Sequence, residues 1–128
     1  MKKKIYYHDT DCGGVVYYAN YLKYLEEART ELFADKGVNI KEWADKGALF
    51  VVARQEIDYK AAGRYADTLD IKTWVSEISG VRLNFDSEIK NQEGALIAKA
   101  KTILVCVDAK LKPQAIPDEI RKAVSSDK

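Results

Sequence analysis

The chain has 128 residues, 47% of them hydrophobic and 32% charged, the balance of an ordinary globular domain long enough to bury a core. Its formal net charge of +1 gives no bulk electrostatic case for nucleic acid or a membrane surface as partner. No apolar run approaches bilayer-spanning length, no signal core follows the basic start Met1-Lys2-Lys3-Lys4, and Cys12 and Cys106 lack metal-ligand spacing, so one cytoplasmic domain over residues 1–128 is expected, with free thiols, no metal and no membrane insertion.

Lys3 to Tyr7 is short, aromatic and β-prone, and reads as a strand. His8 to Gly14 reads as a loop. From Tyr17 to Lys36 the residues Tyr18, Tyr21, Leu22, Leu25, Ala28, Leu32 and Phe33 recur at three- and four-residue spacing. Lys23, Glu26, Glu27, Thr30 and Glu31 fill the opposite side. That is an amphipathic helix, starting between Val16 and Asn20 and stopped by Gly37. Asn39 to Lys46 reads as a second, short helix, capped by Asn39 and ended by Gly47. The period then changes to two. Leu49, Val51, Ala53, Gln55 and Ile57 alternate with Phe50, Val52, Arg54, Glu56 and Asp58, as in a strand. A bend around Gly63 leads into a strand over Leu69 to Ile78. Ser79-Gly80 turns the chain into Val81 to Lys90, with Val81, Leu83, Phe85 and Ile89 on one side. Asn91 to Gly94 turns it again into Ala95 to Val107. Pro117, followed by Asp118 and Glu119, suits the start of a last helix reaching about Ala123. Tight turns make the later strands antiparallel neighbours, and the long helix must bury its stripe on a sheet face. The pattern is α+β, a sheet curled around one helix.

The chemistry concentrates between His8 and Arg29. A glycine-bearing loop with two acids, Asp9 and Asp11, runs into the N-terminus of the longest helix. Such an end offers unpaired N–H groups and partial positive charge. Asp11 is the leading catalytic candidate, able to attack an acyl carbon or take a proton from water; on loop position alone, a carboxylate that merely ties its own turn is the alternative. His8 is the sole histidine, and structural or surface placement is the stronger reading for it. Cys12 beside a helix start could be reactive, but no partner base other than His8 is near in sequence. The Asp9-Thr10-Asp11 run lacks the remaining ligands of a calcium loop, and no nucleophile elbow or phosphate-binding glycine loop is present.

The run Asp9-Thr10-Asp11-Cys12-Gly13-Gly14-Val15-Val16-Tyr17-Tyr18-Ala19-Asn20-Tyr21-Leu22 resembles the signature of the 4-hydroxybenzoyl-CoA thioesterase/YbgC group of hotdog-fold acyl-CoA thioesterases. Glu26-Glu27-Ala28-Arg29-Thr30-Glu31, Glu56-Ile57-Asp58-Tyr59 and Ile116-Pro117 are also similar to it. The resemblance implies a five-stranded antiparallel sheet wrapped around one long helix, and hydrolysis of acyl-CoA to free acid and CoA. It implies Asp11 as nucleophile or general base, and the backbone N–H of Tyr18 as oxyanion donor. Gly14, Val15, Tyr17, Glu56, Asp58 and Tyr59 would line the substrate. Ser79, Gly80 and Arg82 would lie near the CoA moiety, with Arg54, Lys60 and Arg64 as further phosphate candidates. No cofactor is expected beyond the CoA of the substrate. A homo-oligomer with a dimer core, reaching a tetramer, is expected. The YbgC branch often carries histidine where this chain has Tyr18, so no histidine acid or base is carried over. A non-catalytic acyl-CoA-binding or interaction module, or a hotdog hydratase or dehydratase, are the alternatives.

Overall fold

The structure is a computed structural model and describes residues 1–125. Its elements are β1 (Lys2–Lys4), α1 (Asn20–Asp35), α2 (Ile40–Asp45), β2 (Leu49–Tyr59), β3 (Thr68–Ile78), β4 (Arg82–Lys90), β5 (Leu96–Val107) and α3 (Asp118–Ser125). The five strands form one antiparallel sheet in the order β1-β3-β4-β5-β2. Tight turns make β3, β4 and β5 a meander. β2, by contrast, lies next to β5 and reaches β3 only by a crossover over residues 60–67. That crossover brings Gly63 and Arg64 against the loop that precedes α1.

The sheet buries one face on α1. Leu83, Phe85, Ser87 and Ile89 of β4 and Ala98, Ala100, Thr102, Leu104 and Cys106 of β5 are all buried on that side. Leu25 of α1 is fully buried, which is worth about 1.5–3 kcal/mol relative to leaving it in water. The helical stripe differs from the sequence expectation. Tyr18 and Leu22 are exposed, while Tyr21, Tyr24, Leu25, Ala28, Arg29 and Phe33 face inward. The helix starts only at Asn20, so Tyr18 precedes it, and the long apolar stems of Tyr24 and Arg29 take the core positions.

Two other departures have local causes. The first strand ends at Lys4, not Tyr7. The Asp9 carboxylate accepts the Tyr6 N–H at 2.9 Å and pulls Tyr7–Asp9 into a single 3₁₀ turn. The strict alternation expected along β2 breaks at a bulge between Val52 and Arg54. Phe50 and Val52 face α1 before the bulge, and Gln55, Ile57 and Tyr59 face it afterwards. A one-residue insertion swaps the faces because side chains alternate with period two. The short second helix forms as expected, with the Asn39 side chain accepting the Glu42 N–H.

Candidate functional site

Thr10 to Val16 fold into a small hairpin. The Gly14 N–H donates to the Asp11 carbonyl at 3.0 Å, and the Asp11 N–H to the Val15 carbonyl at 2.9 Å. Gly14 sits at φ +77°, the left-handed bulge position of a three-residue hairpin loop, where a side chain would be strained. The Asp11 carboxylate accepts the Gly13 N–H through Oδ1 at 2.9 Å. Among the described residues no donor meets its Oδ2. Asp11 and Cys12 are both exposed at the tip.

One peptide ties this hairpin to the helix. The Asp9 carbonyl accepts the Tyr17 N–H at 3.0 Å and Nδ2 of Asn20 at 2.8 Å. Asn20 is the first residue of α1, so the hairpin and the helix start share one anchor. From there the chain winds in: Asn20 N–H bonds the Tyr17 carbonyl and Tyr21 N–H the Tyr18 carbonyl. The N–H groups of Tyr18 and Ala19 find no acceptor among the described residues. Two free N–H donors at a helix start, tied through the Asp9 carbonyl to a hairpin whose carboxylate has one unbonded oxygen, can accept an oxyanion and offer a nucleophile or base.

Sequence reasoning passed over Asp9 and Asn20, although both lie inside the motif. Asp9 is 7% exposed. Burial pushes its carboxyl up; the Tyr6 N–H, the adjacent Tyr24 hydroxyl and the charges of His8 and Lys3 outweigh that and hold it below the ordinary carboxylate range. The Tyr24 hydroxyl is buried beside it without closing a hydrogen bond. A depressed carboxyl gives stability that is full above the unfolded pKa, about 3.9, and is lost as pH falls through the lower folded value. The thermal midpoint of the wild type should therefore fall on acidification below about pH 4. In Asp9→Asn this acid slope should be shallower, which melts at several pH values would check.

The surroundings are aromatic. All eight tyrosines of the sequence lie in residues 6–24, at the end of β2 or in the crossover. Tyr17 meets Tyr18 at 5.0 Å, Tyr18 meets Tyr59 at 6.4 Å and Tyr59 meets Tyr21 at 5.6 Å between ring centres. The Tyr59 hydroxyl donates to the Tyr18 carbonyl at 3.3 Å. The crossover closes the other side: Gly63 accepts the Val16 N–H at 2.8 Å and donates to the Tyr21 hydroxyl at 3.1 Å, while Val15 bridges to Arg64. His8 stacks on Tyr6, and its Nε2 approaches the Asp9 carboxylate at 3.9 Å.

The expected residues therefore fall into three groups. Asp11, Gly14, Val15, Tyr17, Tyr18 and Tyr59 come together, with Arg64 and Lys60 following on the crossover. Glu56 and Asp58 lie on the other face of the sheet, in register with Lys101 and Lys99 of β5. Arg54 lies there too, ion-paired with Glu56. Ser79, Gly80 and Arg82 form the β3–β4 turn, at the far end of an 11-residue strand that spans about 33 Å. The Ser79 and Gly80 carbonyls accept Nη2 of Arg121 at 2.9 and 3.0 Å, which adds a second cation to that turn. Its signal was only one arginine in a terminal helix with two acids and two bases.

The model of the thioesterase-like superfamily matches residues 6–124. The acyl-CoA thioester hydrolase YbgC of Escherichia coli O6:H1 is 38% identical over 118 residues, covering 91% of this chain and 88% of the relative. The acyl-CoA thioesterase YbgC of Haemophilus influenzae is 38% identical over 122 residues, covering 94% and 89%. Among solved structures, the DHNA-CoA thioesterase of Staphylococcus aureus superposes with a TM-score of 0.93 at 27% identity, covering 98% of this chain and 87% of the other.

Proposed function

The chain belongs to the thioesterase-like superfamily and has the hotdog fold, and from that premise we propose that it hydrolyses acyl-CoA thioesters with Asp11 as nucleophile or general base. The observation that carries this reading is the shared anchor at Asp9. It fixes the Asp11 hairpin against a helix start whose Tyr18 and Ala19 N–H groups are free. The thioester carbonyl oxygen would accept the Tyr18 N–H, with Ala19 as a second donor, and each preorganised donor is worth roughly 3–4 kcal/mol to the transition state. Asp11, free at Oδ2, attacks the acyl carbon or activates a water. The pantetheine thiolate is a good leaving group, so the step needs no strong acid. That suits a hairpin and helix start without histidine. The tyrosines give the acyl or pantetheine arm an apolar wall. No cofactor enters this scheme, and the reaction would run in the cytoplasm within a single domain. Release of free thiol from short, branched, long and aromatic acyl-CoAs tests the reading and identifies the acyl group.

Assembly belongs to the same proposal. Among the described residues β2 pairs only with β5, so the other side of an 11-residue strand is an open edge of the kind that proteins cover or pair. A two-fold dimer across β2, with two dimers joined into a tetramer, supplies that cover. It also supplies a way for the Ser79–Arg82 turn of one copy to reach a CoA bound at the hairpin of another. If Arg82 holds a CoA phosphate, Arg82→Ala should raise KM for acyl-CoA by about tenfold, the equivalent of one charge-assisted contact. It should leave KM for the matching acyl-pantetheine, which lacks the nucleotide, unchanged. Equal effects on both substrates would remove Arg82 from the site.

A further inference from the structure

Among the described residues Arg29 is a buried cation that no carboxylate meets. It is 7% exposed, and its guanidinium has one acceptor, Oγ1 of Thr102 at 3.4 Å. Glu26, one turn earlier on α1, is exposed and accepts the Thr30 hydroxyl at 3.0 Å instead. The buried Thr102 hydroxyl donates to Oε1 of Gln55 at 2.8 Å, and Nε2 of Gln55 donates to the Glu56 and Lys101 carbonyls at 3.2 and 3.1 Å. Every donor along this chain is committed, so the Thr102 oxygen is left to face Arg29 and holds it in place. Taking a guanidinium out of water is costly unless a counter-charge meets it. Nε and Nη2 meet no acceptor among the described residues, and together they form an edge that takes a carboxylate in two parallel hydrogen bonds.

Arg29 also lines a cavity of about 150 Å³, walled by Phe33 of α1, Phe50 and Val52 of β2 and Leu104 of β5. Two lengths place it relative to the helix start. Arg29 stands nine residues into α1 from Asn20, about 13.5 Å along the axis. Gln55, at the other end of the hydrogen-bond chain, is four residues from Tyr59, about 13 Å along β2. Tyr59 packs on Tyr18 and donates to its carbonyl. Between the two ends, Leu22 lies two turns before Arg29 on the same helix face and is exposed, and Ile57 of β2 is half-buried. An apolar path bordered by α1 and β2 therefore leads from the free Tyr18 N–H to a buried cation. From this we infer that the chain acts on acyl groups carrying a carboxylate at their far end, which Arg29 receives. The inference rests on the thioesterase reading for the place of the thioester. An extended chain advances about 1.2 Å per bond, so roughly ten bonds separate the thioester carbonyl from that carboxylate. A plain alkyl end at this depth would cover the guanidinium with hydrocarbon and leave its donors unmet.

The test pairs CoA thioesters of straight-chain acids, which end in a methyl group, with those of dicarboxylic acids of the same length. The series runs from about six to fourteen carbons, which brackets roughly ten bonds, and thiol release is measured for the wild type, Arg29→Met and Arg29→Lys. Near the middle of the series the wild type should favour the carboxylate end by about ten- to a hundredfold in kcat/KM, the worth of a charge-assisted hydrogen bond. Arg29→Met should bring that ratio to within about threefold of one. Arg29→Lys keeps the charge but not the fork, and should keep a smaller preference. Removing a buried charge that has no partner leaves stability equal or higher, which melting curves would verify. A lowered thermal midpoint in Arg29→Met, with both kinds of substrate slowed alike, would make Arg29 a structural brace and overturn the inference. A wild type that hydrolyses both series without preference would also overturn it; that result needs no variant and leaves the thioesterase reading standing. Calorimetric titration of the wild type with CoA thioethers bearing the same two chain ends covers the opposite case. A preference of about tenfold or more for the carboxylate end in binding, with no thiol released from any acyl-CoA, would uphold the Arg29 site and remove the hydrolysis.

Discussion

Asp11→Asn should lower kcat for acyl-CoA by roughly 10²–10⁴, the scale of a general base, or by more if the carboxylate is the nucleophile. The substitution keeps the side chain's shape, and its amide oxygen can still accept the Gly13 N–H that now bonds Oδ1. What disappears is the negative charge and the ability to attack or take a proton. Because Asp11 is exposed at a hairpin tip, the thermal midpoint should move little. A carboxylate that only tied its turn would show the reverse: about 1 kcal/mol of stability lost and turnover preserved. Both quantities are measured on one purified variant. Near wild-type turnover in a stable Asp11→Asn protein would sink the mechanism. If turnover is lost, single-turnover hydrolysis in ¹⁸O-water separates the two chemical roles: label found directly in the product acid favours a water activated by Asp11, and label found later in Asp11 indicates a mixed anhydride.

Gly63→Ala should be the most damaging single methyl at the site. Gly63 lies where the crossover touches both the hairpin and α1. A Cβ there would stand 2.8 Å from the Tyr21 hydroxyl oxygen and 3.1 Å from Cγ2 of Val16. Both neighbours are buried and the Tyr21 hydroxyl already accepts the Gly63 N–H, so neither can move freely. Overpacking of this kind costs about 1–3 kcal/mol. Val16 is the last residue of the hairpin, so the displacement should reach the loop that carries Asp11, and, if Asp11 is catalytic, kcat should fall together with the thermal midpoint. A variant with unchanged melting and unchanged turnover would mean that the crossover does not hold the hairpin. Gly63 is needed here for close approach, whereas Gly14 is needed for its positive φ.

Much of this was readable from the residues. The Asn39 cap and the Gly47 stop gave the second helix, tight turns gave the β3–β4–β5 meander, and the period of two gave the buried face of β4, because antiparallel strands with one solvated face alternate cleanly. The motif marked the loop, which the structure folds as a hairpin, and the helix start. Other features were not readable, each for a physical reason. Arg29 carries its charge on a long apolar stem, so a binary pattern leaves it out of the core, and a stripe drawn through Tyr18 and Leu22 passes over Tyr24 because the helix starts only at Asn20. The bulge in β2 inverts the faces of Arg54, Glu56 and Asp58 relative to the residues before it, and no glycine or proline marks the break. The pairing of β2 with β5 is a long-range choice that no local turn announces. Asp9 and Asn20 escaped notice because their work is done through one backbone carbonyl and one side-chain amide, while the eye goes to the more exposed acid two residues on. The separation of the Ser79–Arg82 turn from the hairpin follows from the length of β3, which a list of motif residues does not carry.

The most direct measurement is a time course of free CoA thiol and free carboxylic acid from an acyl-CoA incubated with the wild-type protein and with Asp11→Asn. The predicted result is equal amounts of thiol and acid, many turnovers per wild-type chain, and turnover by Asp11→Asn reduced at least about a hundredfold while the variant still binds the acyl-CoA. Binding of acyl-CoA by the wild type with no release of thiol, from any acyl chain length or an aromatic acyl group, would contradict it.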